Sequence, residues 1–287
     1  MIGIYKKELK TYFSTPTGYV FMGFFLLIAG FFFAISNLFS MSADYNGMLG
    51  NLTFIFLIVV PILTMRLLSE EMRQKTDILL LTSPLNVNEI VIGKYLAALT
   101  VFLITLLITC LYPIMMSFFG EIAVWEIIGG YIGFFLLGST FIAIGLFISS
   151  LTDNQVIAAV VTFSVLLLLW VIDSLQSIVP TTTLSGVVFA AVLVIAVALW
   201  LYSAARNIYV SLGVIVAGAA TILGIYALNK DVYTGFIGKV IAWFSLMSRY
   251  QDFSLGLLSL SPIVYYITFS IAFVFLTAMQ IEKKRWS

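Results

Sequence analysis

Histidine is absent from the 287-residue chain, and cysteine occurs once, as Cys110. The first absence removes histidine general bases, histidine-dependent nucleophilic triads and histidine metal ligands. The second removes intrachain disulfides and cysteine clusters. Charge is scarce as well. Only 9% of residues are Asp, Glu, Lys or Arg, against 62% apolar, whereas a soluble domain carries about a quarter charged residues. A water-soluble globular fold is thereby excluded. The 14 basic and 13 acidic residues leave a formal charge of +1, so there is no basic footprint for nucleic acid. What is present in quantity is hydrophobic sequence, and the chain reads as an integral membrane protein.

The charges mark out that sequence. Eight stretches of 19 or more residues contain none: Thr11–Ala43, Tyr45–Met65, Tyr95–Gly120, Ile127–Thr152, Asn154–Ile172, Ser174–Ala205, Asn207–Asn229 and Phe253–Ile281. A helix needs roughly 20 apolar residues to cross the hydrocarbon, so each stretch holds one crossing and none needs two. Barrel strands would alternate apolar and polar at about 10 residues per crossing, and runs such as Val187–Leu199 do not alternate. The expectation is an all-α bundle with spans near 18–38, 51–68, 95–118, 127–150, 155–174, 184–205, 207–228 and 261–281. An inside N-terminus places 11 of the 14 basic residues inside: Lys6, Lys7, Lys10, Arg66, Arg73, Lys75, Lys94, Arg206, Lys283, Lys284 and Arg285. The positive-inside rule therefore puts both termini in the cytoplasm.

Three segments lie between or before spans. Residues 1–13 carry Ile2, Tyr5, Leu9 and Tyr12 at helical spacing with lysines elsewhere on the turn. They read as an interfacial elbow helix, broken at Thr15-Pro16. Residues 231–260 repeat the pattern through Val232, Phe236, Val240, Trp243 and Phe244, an amphipathic extracellular segment. Residues 66–93 form the cytosolic segment between spans two and three. Eight of the chain's charges fall in Arg66–Lys94, and a purely apolar patch, Ile78–Leu81, adjoins them. Glu71 and Lys75 are four apart, the favoured order for a helical pair. Thr82-Ser83-Pro84 ends a first helix, and Asn86 or Asn88 caps a second. Such a charged helix with exposed leucines suits docking onto a cytosolic protein; an ordinary interfacial loop whose leucines dip into lipid fits the same residues. Inside the spans, Pro61 and Pro113 stand where they kink helices.

The stretch Ser69-Glu-Glu-Met-Arg-Gln-Lys-Thr-Asp-Ile-Leu-Leu-Leu-Thr-Ser-Pro-Leu85, followed by Glu89-Ile-Val-Ile-Gly-Lys-Tyr95, resembles the cytosolic coupling segment of ABC-2-type transporter permeases. That family shows a Glu-Glu-Arg-x-x-Gly-Thr-like turn, then Leu-Leu-x-x-Pro, then a Gly-Lys helix start. Here Met72 precedes Arg73, and Lys75 stands where the family often has Gly. The opening Lys7-Glu-Leu-Lys-x-Tyr-Phe-x-x-Pro16-x-Gly-Tyr-Val20 resembles the gliding-motility (Gld-like) branch, as do Gly145–Gln155 and the ending Asp252-Phe … Glu282-Lys-Lys-Arg-Trp286. The resemblance covers roughly residues 1–175 and 245–287. Residues 180–230 depart from a six-span pattern by adding a crossing pair.

The resemblance implies a permease subunit, an exporter in the plasma membrane of a prokaryote, driven by separate cytosolic ATPase subunits that bind the ATP and Mg. A second permease copy or a related chain completes it, and an accessory membrane or extracellular subunit is compatible with it. No cofactor, metal site or catalytic residue is expected on this chain. A phosphate loop needs G-x-x-x-x-G-K-[S/T], and both Gly-Lys pairs, Gly93-Lys94 and Gly238-Lys239, fail it. The residues assigned to docking the ATPase are Glu70, Glu71, Arg73, Lys75 and Asp77 for charge, Leu79, Leu80 and Leu81 for apolar contact, and Thr82 and Pro84 for the turn. A second cytosolic contact is expected at Ser149, Asp153 and Asn154, where a plain capped turn is the other reading. The alternative function is an ATP-independent secondary transporter. Such proteins bury ionisable residues at mid-membrane, and no charge is forced into a span centre here.

Overall fold

The computed structural model describes residues 1–76, 86–175, 178–205 and 208–286. Among these every regular element is helical. Eight helical segments are long and apolar enough to cross a membrane: Pro16–Phe39, Tyr45–Arg73, Val87–Ser117, Val124–Ser149, Gln155–Ile172, Thr183–Ser203, Ile208–Leu228 and Leu260–Arg285. These are the eight spans expected from the charge-free stretches. The chain divides into two compact units, residues 1–169 with 249–287, and residues 170–248.

The first unit begins with α1 (Ile2–Ser14) and α2 (Pro16–Phe33), separated by extended Thr15. Pro16 opens α2, where its missing N–H costs nothing. Gly18 lies against the Tyr12 carbonyl, an approach that leaves no room for a Cβ. The first span continues through a π-helical turn, Ala34–Phe39. The second span is α3 (Tyr45–Leu52), a 3-10 turn at Thr53–Ile55, and α4 (Phe56–Thr64) containing Pro61. A short α5 (Ser69–Arg73) follows. The third span is α6 (Val87–Thr109), interrupted at Cys110, then α7 (Leu111–Ser117). Pro113 explains the interruption. It has no N–H for the Thr109 carbonyl four residues back, and that carbonyl instead accepts from the Tyr45 hydroxyl at 3.5 Å.

Helix α8 (Val124–Ser149) is the centre of this unit. Its Phe134 and Phe141, fully buried, meet Phe56, with ring centroids 4.6 and 5.7 Å away. Phe102 of α6 lies over Gly138, where a Cβ would stand 2.5 Å from the ring. Glycine here admits an aromatic ring to the helix backbone. Such ring pairs contribute about 0.5–1.5 kcal/mol each beyond burial, and in lipid close packing of this kind replaces the hydrophobic drive. Helix α9 (Gln155–Leu175) follows, and α14 (Leu260–Trp286) packs along α8, with the Thr140 and Ser270 hydroxyls 3.1 Å apart.

The second unit pairs α10 (Thr183–Ala205) with α11 (Ile208–Leu228). Gly218 packs under Val194, and the Ser211 hydroxyl donates to the Ala198 carbonyl at 2.8 Å. A 3-10 turn, Lys230–Tyr233, and α12 (Phe236–Phe244) complete it. Helix α13 (Leu246–Ser254) leads on toward α14. The amphipathic segment expected at 231–260 is thus a turn and two short helices.

Candidate coupling site

A cluster of ion pairs in the first unit forms at the end where α1, α5 and the start of α6 meet. This is the end the positive-inside rule assigns to the cytosol. Lys94 falls on the buried stripe of α6, in register with Val87, Val91, Ala98 and Val101. Its side chain is 1% exposed. A buried ammonium is stable only when paired. Two carboxylates do this: Glu8 Oε1 of α1 and Glu71 Oε1 of α5, each 2.9 Å from Nζ. Lys7 Nζ stands 3.8 Å from the same Glu71 oxygen. One cation thereby ties the elbow helix, the charged segment and the third span together.

A second joint adjoins it. Arg66 grips Glu70 with two hydrogen bonds, Nε to Oε2 at 2.7 Å and Nη2 to Oε1 at 2.8 Å. The same guanidinium donates from Nη1 to Thr17 Oγ1 at 2.8 Å. This bidentate geometry is the strong form of the ion pair, and it fixes α5 to the end of the second span and to the start of α2. Tyr12 closes the arrangement by donating to the Leu63 carbonyl at 2.8 Å. Burial, reinforced by the nearby Glu8 charge, holds the Tyr12 proton on well above the usual phenol range, so this donor persists.

The start of α5 is capped from another helix. The Ser149 hydroxyl, at the end of α8, accepts from the Leu68 and Ser69 backbone N–H groups at 3.2 Å each and donates to the Met65 carbonyl at 3.3 Å. Lys284 of α14 donates to the Ser150 carbonyl at 2.8 Å. Helix α5 ends in a Schellman turn: Lys75 N–H bonds the Met72 carbonyl at 3.1 Å and Thr76 N–H the Glu71 carbonyl at 3.0 Å. That turn requires a left-handed residue, and Lys75 has φ 55°. Glycine at this place in the related pattern suits the same backbone.

The residues assigned from sequence to docking therefore separate. Glu70 and Glu71 are committed to Arg66 and Lys94. The helical Glu71–Lys75 pair does not form, because the helix has ended before Lys75 and Glu71 points to Lys94. Arg73, Gln74 and Lys75 are exposed. Asp77, Leu79, Leu80, Leu81, Thr82 and Pro84 lie outside the described residues. Asn86 is the cap position of α6. Ser149 is fully buried, so it caps α5 from within and presents nothing to a partner. Asp153 and Asn154 are exposed, and Asn154 Oδ1 accepts from the Val156 and Ile157 N–H groups at 2.9 and 3.3 Å. Glu8 was not singled out from the sequence. The signal was there: Glu8 shares a face with Tyr5 and Tyr12, and an acid on a packed face needs a cation. Among the described residues no group of three His, Cys, Asp or Glu is placed to hold a metal ion.

Among the described residues, all-helical structure with eight segments long and apolar enough to cross a membrane defines a polytopic membrane protein. The family model described as ABC-2 family transporter protein matches residues 3–212. The chain belongs to the ABC-2 transporter family and is a membrane component of an ABC transporter, a class that works with ATPase subunits and usually a second permease. The match runs through α10, so the first helix of the added pair falls inside the family pattern. A search of curated proteins gave no match.

Proposed function

We propose that the chain is the permease subunit of an ATP-driven exporter in a prokaryotic plasma membrane, of the gliding-motility branch that its opening and ending resemble. Two copies, or this chain and a related one, stand over two cytosolic ATPase subunits, which bind the ATP and Mg. The chain itself carries no catalytic residue and no cofactor in this reading.

The observation that carries it is the Lys94 joint. A permease of this kind has to convert displacement of a cytosolic segment into movement of its spans. A segment held only by flexible chain would dissipate the displacement. Here α5 is bound at Glu70 to the second span, at Glu71 to the third, and through Lys94 to α1. A push on α5 reaches three elements at once. The acids Glu70 and Glu71 transmit, while the exposed Arg73 and Lys75, with Asp77, meet the ATPase. Leu79, Leu80 and Leu81, with Thr82 and Pro84, supply the apolar part of that contact. Asp153 and Asn154 supply a second, smaller contact.

The test is co-reconstitution with the partner ATPase, reading hydrolysis and transport together. Leu80→Asp should leave insertion intact and uncouple hydrolysis from transport. Unchanged coupling removes the docking assignment, and full transport by the chain alone in vesicles removes the function.

A further inference from the structure

Helix α13 is not among the eight crossing segments, yet its packing carries it alongside two of them. Gly256, just past its end, meets Gly129 of α8, and Phe253 lies on Gly133, which has no room for a Cβ. The Tyr250 ring meets the Phe134 ring, with centroids 6.4 Å apart. Gly133 and Phe134 lie about two turns inside the charge-free stretch that begins at Ile127, roughly 10 Å at 5.4 Å per turn. Phe253 and Tyr250 are buried there.

Arg249, next to Tyr250, is carried to the same level. Its guanidinium lies over the Tyr265 ring of α14, 3.9 Å from the centroid, and Tyr265 falls within the charge-free stretch Phe253–Ile281. Stacking on a ring of a crossing helix fixes the plane of the guanidinium. No Asp or Glu among the described residues pairs with it. Asp252, one turn on in α13, does not reach it. The residue is half-buried. Nε is shut in without a partner, whereas Nη1 and Nη2 are not among the buried unpartnered atoms. They carry no hydrogen bond, so the four N–H donors at the end of the fork are open.

A cation at membrane depth is costly, and residues of this kind ordinarily pair or mark a ligand pathway. Lys94, buried at the cytosolic end of the same unit, is answered by two carboxylates; Arg249 is answered by none. The group that complements an open guanidinium fork is an oxyanion, received on two parallel N–H donors. At a level flanked by crossing helices, that oxyanion has to arrive on a molecule with an apolar body. We propose that Arg249 binds the anionic head of a membrane amphiphile, a phosphodiester or a carboxylate, drawn below the headgroup plane and held on Nη1 and Nη2 while its chains stay in the surrounding lipid. This assignment needs only the membrane reading and is independent of ATP coupling.

The experiment is native mass spectrometry of the full chain released from nanodiscs of phosphatidylcholine with a minor fraction of phosphatidylglycerol, repeated with oleic acid as the minor component. Wild type should retain an anionic probe, and Arg249→Gln should lower that retention by about tenfold, the low end for a charge-assisted hydrogen bond. A loss confined to phosphatidylglycerol assigns the phosphodiester head, and a loss confined to oleate assigns the carboxylate. Arg249→Lys keeps the charge without the flat fork and should fall between wild type and Arg249→Gln. Lys10→Gln, on the exposed side of α1, should lower retention less than twofold, which separates this site from general attraction by the cytosolic lysines. Arg249→Gln should melt close to wild type, since no ion pair is lost. Retention unchanged by Arg249→Gln overturns the proposal, and a lowered Tm beside it would assign Arg249 to holding α13 on Tyr265. An equal loss in Lys10→Gln also overturns it. Displacement of the retained amphiphile by millimolar inorganic phosphate overturns it in favour of a soluble anion.

Discussion

Replacing Lys94 by Met keeps the length of the side chain and removes its charge. In the native joint each Lys94–carboxylate contact at 2.9 Å is worth roughly 6 kcal/mol of Coulomb energy at an effective dielectric of about 20. Desolvating a fully buried ammonium and two carboxylates that are only 12% and 15% exposed offsets most of this. The intact triad is therefore close to neutral in net stability. Lys94→Met is not, because it leaves Glu8 and Glu71 facing each other across a space no wider than twice the former contact. The expected loss is about 3–5 kcal/mol, which for a unit of this size lowers Tm by about 6–20 °C. The assay is thermal unfolding of the detergent-solubilised chain followed by near-ultraviolet circular dichroism. The triple variant Glu8→Gln, Glu71→Gln, Lys94→Met removes all three charges and should return to within about 1 kcal/mol of wild type. A Lys94→Met protein that melts with wild type refutes the joint. A triple variant no better than the single refutes the charge argument and leaves a packing effect. Because the triple variant is stable but lacks the ionic tie, it also separates stability from transmission: with the ATPase present it should hydrolyse ATP and transport poorly.

Two further outcomes follow from α5. Lys75→Gly relieves the left-handed strain at the Schellman turn and should stabilise the unit by about 0.5–1 kcal/mol, read as a rise in Tm, whereas Lys75→Val, β-branched at φ 55°, should destabilise it by about 1–2 kcal/mol. Ser149→Ala strands the Leu68 and Ser69 N–H groups in a buried setting and should cost about 1–3 kcal/mol; hydrogen exchange at residues 68–72 should accelerate, and exchange that stays slow would show that the cap is not needed.

The architecture was legible because lipid imposes a rule on sequence. A charge cannot be left in the hydrocarbon, so the gaps between charges delimit the helices, and the spans lie within a few residues of those gaps. The breaks inside spans were legible where chemistry forces them. Pro113 cannot bond Thr109, and α6 stops there. The π-helical turn at Ala34–Phe39 has no such marker, since none of its residues is a helix breaker. The joint was half legible. The sequence shows that Glu70, Glu71 and Arg73 are unusual, and it invites a reading in which all of them face outward, because charge on a cytosolic segment is ordinarily solvated. What decides otherwise is the position of Glu8 and Lys94 on apolar stripes of two helices that are 86 residues apart. Each alone breaks a pattern. Only the packing of α1 against α6 shows that the two exceptions compensate one another.

That compensation also explains why the charged segment has more acids than a docking surface needs. Two of its carboxylates answer cations on other elements, Arg66 of the second span and Lys94 of the third. A buried ionic triad adds little stability over apolar packing of the same volume, so stability alone does not account for it. What it does supply is a fixed register. A slip of α5 by one residue would remove Glu71 from Lys94 and leave a buried ammonium with one acid in place of two. The segment therefore has few low-energy positions relative to α1 and α6, and displacing it means moving the helices with it. An apolar contact of equal area would tolerate sliding. Under the proposed function the ionic joint would let a short helix act as a lever, and the triple neutral variant is where the difference should appear as lost transmission at retained stability.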